Sequence, residues 1–77
     1  MIVKPGHVYR HFKGRFYMVL CIAHNTETDE SLVIYKALYG NYDIWARPLE
    51  MFTSKVSSKK DNPTGQIYRF EEYDYEW

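Results

Sequence analysis

The sequence predicts an all-β fold: a small SH3-like barrel of about five short strands, with one 3-10 turn before the last. Three observations carry this. Apolar residues alternate with a period of two, β-branched and aromatic residues dominate the apolar runs, and turn-forming residues interrupt those runs at short intervals. The chain has 77 residues, of which 45% are hydrophobic and 18% aromatic. That length fits one domain, and that much apolar area argues against disorder. A sheet this small must curl to cover its own apolar face, which is why a barrel is expected. An OB-like or α+β roll is the alternative.

The elements follow in order. In the first run Val8, Arg10 and Phe12 share one face, and His7, Tyr9, His11 and Lys13 the other. Lys13-Gly14 punctuates it. The second run, Phe16 to Ala23, sets Phe16, Met18, Leu20 and Ile22 against Tyr17, Val19, Cys21 and Ala23. Both faces are apolar, as in a buried central strand. Asn25 to Glu30 is polar and reads as a turn. Leu32 to Tyr39 alternates again, Gly40-Asn41 makes a tight connection, and Ile44 to Arg47 is a fourth strand ended by Pro48, which cannot donate to a ladder. Leu49 and Phe52, three apart, form the apolar side of one helical turn. Thr53 to Val56 resumes an extended course. Residues 57–65 are a polar, mobile loop, Gln66 to Phe70 is the last strand, and 71–77 is an acidic aromatic tail that either extends it or hangs loose. The whole chain, 1–77, thus reads as a single domain with its core over about 5–56.

Ten basic and ten acidic residues give zero net charge, which excludes a simple polycationic nucleic-acid binder. The zero is unevenly distributed. Residues 1–47 carry six basic groups against four acidic, and residues 48–60 carry Lys55, Lys59 and Lys60 against Glu50. Residues 61–77 carry Asp61, Glu71, Glu72, Asp74 and Glu76 against Arg69 alone. Such asymmetry marks a candidate interaction surface. The single cysteine, Cys21, allows no intrachain disulfide. Residues 1–6 do not form the apolar segment of a secretory signal, and no apolar run has the length of a membrane span. A cytoplasmic protein with no membrane association is expected.

Several ordered motifs resemble those of a known group. They are Gly6 to Gly14 (GHVYRHFKG), Tyr17 to Leu20, Ile22 to Thr28, Val33 to Gly40 (VIYKALYG) and Trp45 to Phe52 (WARPLEMF). Together they resemble a family of small bacterial and phage proteins catalogued as a domain of unknown function. The resemblance spans about residues 5–56 and departs after Val56. It implies a compact β domain, with no reaction, cofactor or catalytic residue to carry over.

Four constellations could carry chemistry. The first is a ligand-binding set of Tyr9, Arg10, His11, Lys13, Tyr35, Lys36, Tyr39, Trp45 and Arg47. Flat rings interleaved with Arg and Lys heads can stack bases and pair phosphates. In this reading Tyr9, Tyr39 and Trp45 stack, while Arg10, Lys13, Lys36 and Arg47 meet phosphate. The competing reading is structural, with the rings completing the core and their polar tips outward. The second is metal binding. His7 and His11 would lie about 13 Å apart in a strand, too far for one ion, and Cys21 with His24 lacks a second ligand pair. No metal or cofactor is expected. The third is catalysis. Cys21–His24 and His11–Asp43 lack the sequence context of a nucleophile, and Cys21 in the most apolar strand is expected to be buried and inert. No catalytic residue is assigned. The fourth is a partner-binding set in the tail, Tyr73, Tyr75 and Trp77, since free rings in a row form a patch that calls for a partner. An ordered tail would favour a homodimer.

These readings converge on a non-enzymatic binding module with an aromatic and basic face for nucleic acid or nucleotide. A protein–protein module gripping a host protein or a peptide is the alternative, and sequestration of a nucleotide signal a second. With no net positive charge, binding of a polyanion should be weak and salt-sensitive.

Overall fold

Short connections dictate the order of the sheet. A computed structural model describes residues 1–76. It contains β1 (Val8–His11), β2 (Phe16–His24), β3 (Ser31–Ala37), β4 (Ile44–Pro48), α1 (Leu49–Phe52) and β5 (Phe70–Glu72). The first four strands form an antiparallel meander, and β5 returns to pair with β1, giving the order β4-β3-β2-β1-β5. The all-β expectation holds, as one five-stranded sheet with one short helical turn. The barrel is not closed by hydrogen bonds, because β4 and β5 remain the two edges. Among the described residues, no helix is long and apolar enough to cross a membrane.

The β1–β2 turn shows how the local sequence sets this geometry. The His11 amide donates to the Arg15 carbonyl at 2.8 Å, and the Gly14 amide to the His11 carbonyl at 2.8 Å. Gly14 closes the turn at φ +105°, a conformation that side chains with a Cβ rarely adopt. Space is not the constraint, since a Cβ there would meet nothing within 4 Å. Gly14→Ala is therefore expected to lower stability by about 1–2 kcal/mol through backbone strain alone. Chemical denaturation would read this as a lower midpoint with an unchanged slope.

A bulge reverses the facing of half of β2. Val19 pairs with Tyr35, but the next pair is Cys21 with Ile34, so Leu20 is an extra residue. Ile22, not Cys21, then stands opposite core-facing Val33. The sequence expectation of a buried Cys21 is thereby corrected. The thiol is exposed, and so are Leu20 and Ile22 beyond the edge of the core.

The core is the concave face of the sheet, built from Tyr9, Val19, Val33, Tyr35 and Phe70, with Phe52 pressed onto it by α1. Pro48 ends β4 and starts α1, and the turn is α-helical rather than 3-10. One turn suffices to bring Phe52 into a parallel stack on Phe70, with centroids 4.0 Å apart. Tyr35 meets both rings edge-on at 5.5 and 5.4 Å. Curling of the sheet carries Arg47 of one edge strand to 5.8 Å from the Phe70 ring of the other.

The last strand lies later than the sequence predicts, at Phe70–Glu72 rather than Gln66–Phe70. Residues 66–69 are held by side chains and by scattered main-chain bonds to Phe12, Ser54 and Val56 rather than by a regular ladder. The Glu71 carboxylate accepts from the Ile67 and Tyr68 amides, both at 3.0 Å. Gln66 turns inward, donating to the Arg10 carbonyl at 2.9 Å and accepting from Arg10 Nε at 2.9 Å. The expected extension over Thr53–Val56 reduces to one bridge, Lys55 to Tyr68. Loop 57–65 is tied down at its far end, where the Thr64 hydroxyl donates to the Phe12 carbonyl and Asn62 Nδ2 to the Gln66 carbonyl.

Candidate ligand-binding cleft

A cleft of about 450 Å³ opens beside the core where β3, β4 and α1 meet. Tyr17, Tyr35 and Tyr39 line it, together with Trp45, Ala46, Arg47, Pro48 and Met51. The β3–β4 register explains the arrangement. Tyr35 pairs with Trp45 and Val33 with Arg47, so both β4 side chains lie on the concave face. Tyr35 is buried and forms the floor, whereas Trp45 stands 51% exposed at the mouth.

Hydrogen bonds fix the rings. Tyr17 and Tyr39 share a bond between their hydroxyls at 2.7 Å, with centroids 5.5 Å apart. Burial and that bond, together with the neighbouring tyrosines, push the Tyr17 hydroxyl well above its ordinary titration range, so it stays protonated. Arg47 Nε donates to the Tyr35 hydroxyl at 3.1 Å, which satisfies a buried oxygen and aims the guanidinium into the cleft. The Arg15 guanidinium lies 4.4 Å from the Tyr39 ring centroid, a cation–π contact at the rim.

Of the nine residues that the sequence nominates, the cleft gathers Tyr35, Tyr39, Trp45 and Arg47, and His11 lies next to it, 6.4 Å from the Tyr17 ring. Tyr9 cannot stack a ligand. It is buried in the core, and its hydroxyl accepts from the Lys4 amide at 2.8 Å. Arg10 and Lys36 lie on the opposite face of the sheet. Arg10 reaches Gln66 and stands 5.3 Å from the Tyr73 ring, while the Lys36 ammonium stands 5.8 Å from the Tyr42 ring. Lys13 sits in the β1–β2 turn, exposed. Tyr17, Arg15 and Met51 were missed by sequence reasoning. The pairing of Tyr9 with Tyr17 across a predictable hairpin is the signal that could have found the first of them.

The tail packs away from the cleft. Tyr73 and Tyr75 lie 4.9 and 5.1 Å from Phe16 on the convex face. The Tyr73 amide donates to the Val8 carbonyl at 3.0 Å, and Glu72 pairs with Lys4 and His7 at 3.4 and 2.8 Å. Trp77, the third nominated tail ring, lies outside the described residues.

His11 is the strongly perturbed imidazole beside the cleft. Burial, then the positive charges of Arg47, Arg69, Lys13 and Lys60, lower its pKa from 6.5 to about 4. The Lys13 amide donates to its Nδ1 at 3.1 Å, which requires that nitrogen to be unprotonated. Because the folded value lies below the unfolded one, protons favour unfolding in this window. Stability is fully present above about pH 6.5 and falls as the pH drops from 6.5 towards 4. The melting temperature should thus be lower at pH 5 than at pH 7, and His11→Gln should flatten that difference; an undiminished slope in the variant would show that another group governs it.

The fold and the cleft together define a class: a single-sheet antiparallel β module with an aromatic, arginine-lined cleft and a buried ring stack beneath it. Within that class, the chain belongs to DUF1653, a family described as a protein of unknown function, which matches residues 7–72. The match runs through the lysine-rich loop into β5, well past Val56, where the sequence motifs alone place the end of the resemblance. A crystal structure of a DUF1653 protein from Bordetella bronchiseptica superposes with a TM-score of 0.72 at 36% identity, covering 92% of this chain and 86% of that one. No curated protein matches.

Proposed function

We propose that the protein is a small non-enzymatic binding module whose cleft takes the base of a nucleotide or of single-stranded nucleic acid. The observation that carries this is the half-exposed Trp45 ring lining one cleft with three tyrosines and with Arg47, whose Nε is bonded to the Tyr35 hydroxyl. A planar ring entering the cleft can stack on Trp45 without reorganising the core, and stacking tolerates any base. Arg47 and Arg15 give the site positive charge, which favours a ligand that is both flat and anionic and disfavours a cationic guest for the aromatic cage. Binding is weak and salt-sensitive, because the chain as a whole carries no net charge.

The test is a melting-temperature screen of the whole protein against the common mononucleotides and short oligonucleotides at low salt. A rise with at least one of them at millimolar concentration is expected, since a ligand that binds only the folded state stabilises it by mass action. No rise with any of them overturns the proposal.

A further inference from the structure

We propose that the cleft selects guanine: a base stacked on Trp45 presents its O6 and N7 to the two terminal nitrogens of Arg47. The ligand class is then a guanine nucleotide, which rests on the reading of the cleft as a base-binding site.

The sheet register places the two side chains. Trp45 and Arg47 are two residues apart in β4, so they stand on the same face, about 6.6 Å apart along the strand. Both line the cleft, whose volume of about 450 Å³ falls within the range of small-ligand sites. Trp45 is exposed and offers its ring to a guest, whereas Arg47 is half-buried beside it. A flat base stacked on Trp45 therefore meets Arg47 with its edge rather than its face.

Arg47 is held in place and still has donors to give. Its Nε donates to the Tyr35 hydroxyl at 3.1 Å, and its guanidinium carbon lies 5.8 Å from the Phe70 ring. Tyr35 and Phe70 belong to the core, so the guanidinium is anchored from beneath. Its two terminal nitrogens have no bonded partner among the described residues, and the ion pairs there, Lys4–Glu72, His7–Glu72 and His24–Asp29, do not involve it. The tyrosine hydroxyls of the cleft are already engaged, Tyr17 with Tyr39 at 2.7 Å and Tyr35 with Arg47. Edge recognition therefore falls to a fork of N–H groups that donates and cannot accept.

Such a fork discriminates among bases. Guanine carries two acceptors side by side, O6 and N7, on the edge remote from the sugar, and a planar guanidinium spans them with two parallel bonds. Adenine keeps N7 but sets its N6 amino donor where guanine has O6, so one arm of the fork would face a donor. Uracil and thymine offer O4 without an acceptor beside it. Cytosine has neighbouring acceptors in N3 and O2, but O2 adjoins the bond to the sugar, and its single ring gives Trp45 less area to stack on. A base that leaves one arm unpaired is rejected, because the site loses a bond and keeps a desolvated donor.

Isothermal titration of the whole protein with the 5′-monophosphates of guanosine, adenosine, cytidine, inosine and 7-deazaguanosine tests this. The guanosine nucleotide is expected to bind about 5- to 150-fold more tightly than the adenosine nucleotide, the range that one bidentate pair provides. The inosine nucleotide keeps O6 and N7 and lacks only the 2-amino group, so it should bind like the guanosine one. The 7-deaza nucleotide has carbon in place of N7 and should fall towards the adenosine level. In Arg47→Lys the guanosine-to-adenosine ratio should shrink towards one; the 7-deaza comparison needs no variant and stands should Arg47→Lys fold poorly. Equal binding of the guanosine and adenosine nucleotides, or tighter binding of the cytidine one, overturns guanine selection while leaving the base cleft standing. A 7-deaza nucleotide that binds as tightly as its parent overturns the role of the Arg47 fork. If none of the five binds, and no other nucleotide does, the reading of the cleft itself has failed.

Discussion

Phe70→Ala is expected to lower the free energy of unfolding by about 3–5 kcal/mol, the range for deleting a buried aromatic ring from a packed core. Phe70 is 1% exposed, stacks on Phe52 at 4.0 Å, and meets His11, Tyr35 and Tyr17 edge-on at 5.0, 5.4 and 5.6 Å. It is also the residue through which β5 closes the core. For 77 residues a total stability of roughly 4–12 kcal/mol is typical, so this one change removes a large share of it. Urea denaturation followed by far-ultraviolet circular dichroism should show a midpoint far below that of the parent. Trp45→Ala, which removes a half-exposed ring from the sheet edge, should leave the midpoint nearly in place. Equal midpoints for the two variants would overturn the account of the core. Should Phe70→Ala fail to accumulate folded, Phe70→Leu retains much of the volume and should give a smaller but measurable loss.

The same ring marks how much of the fold the sequence carries. Period-two alternation and the turns at Lys13-Gly14, Asn25 to Glu30 and Gly40-Asn41 place β1 to β4 nearly where they lie, because those features are local. The helical turn at Leu49–Phe52 is equally local, since Pro48 and two apolar residues three apart specify it. β5 is displaced because its limits depend on partners distant in sequence. Gln66 is drawn inward by Arg10, and the Glu71 carboxylate occupies the amides that a ladder over residues 66–69 would use. The facing of Cys21 could not be read from alternation, because a one-residue bulge inverts every position beyond it.

For the site, the physics divides in the same way. Trp45, Arg47 and Tyr39 are legible as a cluster because they lie close in sequence around one turn. Arg10 and Lys36 are nominated for their charge, yet strand parity already sets Arg10 on the face opposite Tyr9, and the structure places it there. The docking of β5 on β1 and the bonds that tie loop 57–65 to Phe12 and Gln66 join segments far apart in sequence, so no local signal foretells them.

Trp45→Ala should weaken binding of any nucleotide that raises the melting temperature by about 5- to 150-fold, the equivalent of the ~1–3 kcal/mol that one base–aromatic stack contributes. The stability of the free protein should hardly change, so the loss is attributable to the ligand contact. Trp45→Phe should recover most of the affinity, since a smaller ring still offers a face. Arg47 needs a different substitution, because Arg47→Ala would leave the buried Tyr35 hydroxyl without its donor and confuse binding with folding. Arg47→Lys keeps the charge and loses the planar fork. It should cost affinity at every salt concentration while leaving the slope of log affinity against log salt nearly unchanged, because that slope counts charges rather than hydrogen bonds. A Trp45→Ala protein that binds as tightly as the parent would remove the cleft from consideration. An affinity unchanged in Arg47→Lys would mean that the anion is held by point charge alone, with the guanidinium geometry playing no part.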